Sequence, residues 1–472
     1  MFDPVIAPSG TLLGLLQRGR GDGTLHALAA PRAEALAALN HCVLNDPRHD
    51  WQVENRSLYY ARLFLDLHGG LDAIDHHLFR AEDHFDTEES RTGLSLAVLG
   101  HLASYGRRDA LDLLRRYAAT GSNWAWALDE LALRDDDTGL RSLALPVLAR
   151  FPATPEGEAE LASAVRDAFE PRPWRLWADD PRATVGGRIR AAGEQGSFDR
   201  WQRQMRPSGP RPGWSVQAVF DWAQQALDRG TPLHVPAARC LTAVAGPDDR
   251  PAIVEAARGG PDAARCASLH YLAEARDPVV LDLIEAAASS ADRTVSEAAV
   301  AAFERMCGED AVDRARGWVH RPDPLGASAA GVLAGRGGPQ DAPLVLGALR
   351  ETVRSEGPDA PLLWTLVDGA GRLGIACAAP VLRHVYRETA SSQLRGRAAR
   401  ALAATDPSYA TGFAVECLWD CEETTREVAA LHAETADVRV AERLRRLAAD
   451  PAEEAEVQTA VRSRIGPDAA AL

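Results

Sequence analysis

Seven times along this chain a helix-like apolar stripe stops, turn-forming residues intervene, and a second stripe begins. The stretch SLHYLAEARDPVVLDLIEAA, at 268–287, shows the unit in full. Leu269 and Leu272 sit three apart and so share a helix face. Asp277 suits an N-cap and Pro278 the first helical turn. Val280, Leu283, Ile284 and Ala287 then form the stripe of the next helix. With the second residue of each apolar pair as anchor, the unit recurs at 244, 272, 303, 333, 373, 402 and 431, in steps of 28, 31, 30, 40, 29 and 29. An insertion near RSEGPDAP accounts for the long step. One hairpin cannot bury its own stripe, whereas stacked hairpins share a continuous linear core. The period therefore predicts an all-α chain, an α-solenoid of stacked antiparallel helix hairpins. Alternating strand patterns are absent.

A chain of 472 residues exceeds one ordinary core. Looser units of the same style occupy 50–79, where Asp50 suits a cap, and also 95–121 and 139–169. The reading divides the chain into an N-terminal helical array (1–170), an irregular Arg- and Trp-rich connector (171–214), and a C-terminal array (215–472). The last segment ends in a charged cap containing AADPAEEAEVQTAVRSRI. The pattern resembles HEAT-like repeats, in particular the short bacterial form also seen in phycobilisome-lyase-type repeats. That resemblance implies a scaffold with a concave surface for a protein partner, and Asp–Arg ladders linking neighbouring units.

Composition narrows the chemistry. All 52 basic residues are Arg, so a Schiff-base lysine and a P-loop lysine are both unavailable. A net charge of −15 makes the chain a poor candidate for bulk nucleic-acid or anionic-membrane binding. The seven Cys are scattered, several of them in apolar runs (Cys240, Cys266, Cys307), which fits buried free thiols in a reducing cytoplasm. Cys417 and Cys421, four apart, would share a helix face. The N-terminus lacks a basic region and a cleavage pattern, and no run of 18 apolar residues occurs. A cytoplasmic protein with a protein partner and no cofactor is expected.

Four constellations carry candidate sites. The segment 172–214 holds nine Arg against four acids, and four of the eleven Trp. Arg and Trp are enriched at binding hot spots, which makes Trp177, Arg188, Arg190, Arg200, Trp201 and Arg203 the candidate partner contacts. Glu54, Arg56 and Tyr59 concentrate polarity near one helix, as a polar pocket or an inter-unit ladder. DAIDHHLFRAEDHFDTEE (72–89) is rich in metal-ligating types, and His77, His84 and Asp86 are the candidate ligands. GSNWAWALDELALRDDD (121–137) resembles the Trp- and Asp-bearing segment of alkylpurine DNA glycosylases. Trp124, Trp126 and Asp129 match its aromatic and carboxylate positions, which implies a glycosylase as the alternative, beside a metal-assisted hydrolase.

Overall fold

The computed structural model describes residues 6–48, 52–84, 88–194 and 213–465. Every regular element among them is a helix, and no strand occurs. All seven expected breaks fall between helices: Leu272 lies in Asp262–Glu274 ahead of Val280–Ala288, and Leu333 in Pro324–Arg336 ahead of Ala342–Glu356. The long step corresponds to the 15-residue length of this last helix and the turn after Gly357, whose φ is 91°.

The helix starts follow from local chemistry. Asp292 accepts from the amide of Val295 (3.0 Å) and Asp323 from that of Gly326 (3.1 Å), each satisfying a donor that the first helical turn leaves free. The 277–278 cap differs from expectation. Arg276 turns left-handed (φ 53°), the helix begins at Val280, and Asp277 accepts from the amide of Val279 at 3.1 Å within the preceding turn.

The described chain forms two compact units. One comprises Met1–Arg206, Arg387–Ala399 and Pro407–Leu472; the other Pro207–Tyr386 and Arg400–Asp406. The beginning and end of the chain thus share a unit, whereas the sequence division kept 215–472 together. The reason is visible in side chains described below: the C-terminal helices bury their polar groups against N-terminal ones.

In the second unit, long helices pack on neighbours one and two along the chain. Asp262–Glu274 packs on His234–Val244, Arg250–Gly259 and Arg293–Arg305; Pro324–Arg336 packs on Glu309–Trp318, Ala342–Glu356 and Leu363–Arg372. The stripes supply the core: Leu269, Ile284, Phe303, Leu333 and Leu366 are wholly buried. Phe303 meets Trp318 edge to face, with centroids 4.9 Å apart. Successive hairpins are joined by Arg–Asp pairs roughly one period apart: Arg250 to Asp277 (2.6 Å), Arg314 to Asp282 (2.8 Å) and Arg316 to Asp341 (2.8 Å). Arg372 closes the C-terminus of Pro324–Arg336, its Nη2 donating to the carbonyls of Ala334 (2.9 Å) and Gly337 (2.8 Å).

In the first unit, Ser57–Asp66, Glu89–Ser104 and Trp124–Arg134 lie side by side, and Glu423–His432 packs on Ala455–Ile465. Much of the described part of the segment expected to be an irregular connector is helical, with Arg172–Ala178 followed by a wide turn at Ala183–Gly187 and helix to 194. Trp174 and Trp177 enter the core, where Trp124, Phe151, Trp174 and Trp177 make successive edge-to-face contacts at 5.0–6.3 Å. Two smaller expectations fail. Cys307 follows its helix and is exposed, and Leu431 is 41% exposed although it continues an apolar stripe. No helix among the described residues is long and apolar enough to cross a membrane.

Candidate functional site

Chemistry-bearing side chains concentrate in a buried polar seam of the first unit, where residues more than 300 positions apart meet. Glu54, Arg56 and Tyr59 lie at its upper end. The Glu54 carboxylate accepts from the Ser391 hydroxyl and, at 2.8 Å, from the amide of Ser392. It therefore sits at the positive N-terminus of the Ser392–Thr405 helix. Burial pushes its pKa up, but Arg56 at 3.0 Å and the two Ser donors outweigh this and hold the carboxyl below its usual value. Arg56 is fully buried and also donates to the carbonyl of Ala390 (2.9 Å). The Tyr59 hydroxyl donates to the Arg20 carbonyl at 2.8 Å, and burial raises its pKa well above normal. Glu54 and Arg56 thus tie the start of the Ser57–Asp66 helix to residues 390–392, and Tyr59 ties that helix to Arg20.

One step further in, Arg395 donates to Asp420 through Nε (2.9 Å) and Nη2 (3.0 Å), and through Nη2 to the Arg18 carbonyl (2.7 Å). The Cys421 amide donates to the Gly19 carbonyl at 2.8 Å. Gly19 has φ 69°, and a Cβ there would lie 2.4 Å from Cys421 Sγ, so both conformation and space require glycine. Cys421 belongs to this turn, whereas Cys417 ends its helix at Phe413–Cys417. The two thiols do not share a helix face.

The seam continues along Ser57–Asp66 and the end of Glu89–Ser104. Arg62 bridges Asp450 (2.7 Å) and Glu453 (3.0 Å); the Tyr105 hydroxyl donates to Asp450 at 2.8 Å; Arg426 donates to Glu453 at 2.6 Å. Burial alone would raise both carboxyls, but Arg62 beside Asp450 and Arg426 beside Glu453 hold them low. Beside this lie Glu130 and Arg134, paired at 2.7 Å against Gly100, where a Cβ would come within 1.9 Å of Glu130 Oε2. Burial nevertheless pushes the Glu130 carboxyl up to about 7, against the opposing pull of Arg134. Next to Gly100, His101 is pushed down to about 4 by burial and by Arg134 and Arg62.

The remaining candidate residues are placed as follows. Trp177 gives its Nε1–H to the Leu140 carbonyl (2.8 Å) and is buried, so it is a core residue and not a partner contact. Arg188 folds back onto Glu158 (2.8 Å) and the Phe151 carbonyl (2.8 Å); Arg190 is exposed and donates to the Ala178 carbonyl. Arg200, Trp201 and Arg203 lie outside the described residues. Trp124 is committed to the aromatic cluster, and Trp126 is half-buried against the core. Asp129 accepts from the Glu170 amide at 3.1 Å, and burial lifts its carboxyl to about 6. That carboxylate is engaged with the Glu170 backbone, and the Trp124 ring packs against Phe151 and Trp174.

His77 bonds the Arg91 carbonyl at 2.9 Å through Nε2; the side chain of His84 and all of Asp86 lie outside the described residues. No cluster of metal-ligating side chains occurs among the described residues. Asp83, which was not among the candidate ligands, is the hub instead. It accepts from the Tyr117 hydroxyl (2.7 Å), the Ser122 amide (2.9 Å) and Arg91. Sequence reasoning also passed over Arg395, Asp420 and Asp450. Each is one charge among many in its segment, with no periodicity to mark it.

Open grooves occur in the second unit. One of about 700 Å³ crosses Arg293–Arg305, Pro324–Arg336 and the start of Leu363–Arg372, lined by Val300, Glu304, Ala327, Gly331, Gly335 and Thr365. Others of about 720 and 750 Å³ lie beside Pro343–Glu356 and Val216–Gln224. The sequence matches no protein-family model and no curated protein.

Proposed function

We propose that this chain is a non-catalytic HEAT-like scaffold, an α-solenoid whose stacked hairpins present a concave surface to a protein partner. The observation that carries this reading is the groove over Gly331 and Gly335. Glycine inside a helix is less favourable than alanine by about 1 kcal/mol. Packing accounts for many glycines in this chain, but a methyl at Gly335 would meet nothing within 4 Å, and one at Gly331 would make only ordinary contacts at 3.6 and 3.9 Å. The two therefore keep a trough open over the helix backbone, and a docked chain would make use of it. The grouping of ionisable side chains supports the same reading. In the polar seam they bind one another and backbone carbonyls, an arrangement that joins helices.

The test begins with capture by the full-length chain, followed by reconstitution with the purified partner. Gly331→Arg and Gly335→Arg should each weaken binding at least tenfold while leaving the helical circular dichroism signal unchanged. Equal affinity in both variants would remove the groove from the interface. Turnover of a substrate by the purified chain would overturn the scaffold reading itself.

A further inference from the structure

The two histidines at the start of the second unit have an unusual setting. His234 is the first residue of His234–Val244, and His270 lies inside Asp262–Glu274. Their rings stack in parallel, centroids 5.2 Å apart and planes within 7°. His270 is 1% exposed, and neither of its ring nitrogens has a hydrogen-bond partner among the described residues. A neutral imidazole tolerates this setting; an imidazolium there would be a buried charge without an acceptor.

The surroundings offer no compensation. The groups that reach His270 are His234, from the helix on one side, and Arg305, from Arg293–Arg305 on the other; both oppose a proton. Glu304 on Arg293–Arg305, and Asp262 and Glu274 on the helix of His270 itself, are not among the groups that act on it, and other carboxylates on the packed helices are engaged elsewhere. Asp221 and Asp228 accept from Gln217 and Gln224, Glu255 pairs with Arg258, and Asp282 and Glu285 pair with Arg314. On the flanking helix Glu297 pairs with Arg293. His234 adds its own obstacle, since the first turn of a helix carries partial positive charge.

We propose that the His234–His270 stack, with Arg305 beside it, is an acid-sensitive release point that loosens the hairpins spanning residues 234–274. Protonation cannot be absorbed in place, so it is relieved by separating the two helices and letting water in. Burial, with His234 and Arg305, pushes His270 down to about 4 from its ordinary 6.5, and His234 is pushed down by burial and Arg305. The sign follows from linkage: a histidine whose folded pKa is lowered stabilises the fold above its unfolded value, and that stability fades as pH falls from 6.5 toward 4. At pH 5 the open form of this segment should gain about thirty-fold over the closed form from His270 alone.

Hydrogen exchange of the full-length chain at pH 7.5 and pH 5.0, corrected for intrinsic rates, reads this directly. Peptides from 234–274 should lose about thirty-fold in protection at pH 5.0, while those from Glu309–Trp318 change little. The His234→Phe/His270→Phe pair should abolish the difference. Because that pair also changes the packing, Arg305→Gln, at an exposed position, serves as the second variant and should shrink the effect by easing the repulsion. An unchanged acid response in both variants, or no response confined to 234–274, would overturn the proposal. These outcomes are independent of partner binding, so they stand apart from the scaffold reading.

Discussion

Arg395 and Asp420 face each other with no solvent reaching either side chain, the guanidinium giving two parallel hydrogen bonds to the two carboxylate oxygens. Fork-to-fork geometry of this kind is the strongest form of charge-assisted hydrogen bond. Its third bond, to the Arg18 carbonyl, makes the pair a tie between the two ends of the chain within one unit.

Removing one partner of such a pair strands a buried charge, and this is expected to destabilise by about 3–5 kcal/mol. Asp420→Ala should therefore lower the urea midpoint sharply. An Arg395→Met/Asp420→Leu double variant should recover much of the loss, since the pair's burial opposes much of its Coulomb attraction. Equilibrium denaturation of the three proteins checks both parts.

Glu130 carries a pH dependence of opposite sign to that of most acids. Its folded pKa is raised from 4.5 to about 7, so the group favours the fold when protonated, and this contribution is lost as pH rises through 7. Glu130→Gln is expected to stabilise the protein by about 1–2 kcal/mol at pH 8, with the difference vanishing below pH 4.5. Melting temperatures of both proteins across that range give the measurement.

Asp450 and Glu453 behave conventionally. Arg62 and Arg426 depress their folded pKa values, so their stabilisation is full above the unfolded carboxyl range and disappears as pH falls through the lowered folded values. Asp450→Asn should flatten the acid limb of the stability curve below pH 4. It should also reduce exchange protection in Ala455–Ile465 at neutral pH. A wild-type acid limb in this variant would show that Asp450 does not link the helices energetically.

Two glycines of the second unit should respond in opposite directions. At Gly369 an added methyl would lie 2.7 Å from the Ala334 Cα and 2.8 Å from its carbonyl oxygen, rigid backbone that cannot step aside. Gly369→Ala is expected to cost about 1–3 kcal/mol. At Gly335 the space is empty, so Gly335→Ala should stabilise by about 1 kcal/mol. The same Gly335→Ala change should weaken partner binding if the groove is the docking surface, separating stability from function in one variant.

Much of the helix pattern was legible because periodicity reports burial. Leu269, Leu272 and Ile284 were readable from spacing, and each is buried. The misreadings came where a residue's type suggested exposure or reactivity. Trp177 in an Arg-rich stretch looked like a binding contact, yet indole is also the largest apolar side chain, and its N–H found the Leu140 carbonyl. Glu54 and Arg56 could be seen as a ladder, but their partner, the start of the Ser392–Thr405 helix, could not, since nothing in a single sequence links positions more than 330 apart.

The sequence by itself determined that the chain is helical, where the helices of the repeated region break, and which faces they bury. These are local properties, set by propensity, caps and the 3.6-residue period. Only the tertiary structure decided that the last helices share a unit with the first, that Asp420 and Asp450 carry the seam, and that His270 stacks on His234 with no acceptor for its ring among the described residues. Pairings of that kind depend on where separate helix faces come to rest in three dimensions, and a charge or an imidazole in sequence carries no record of what will lie opposite it.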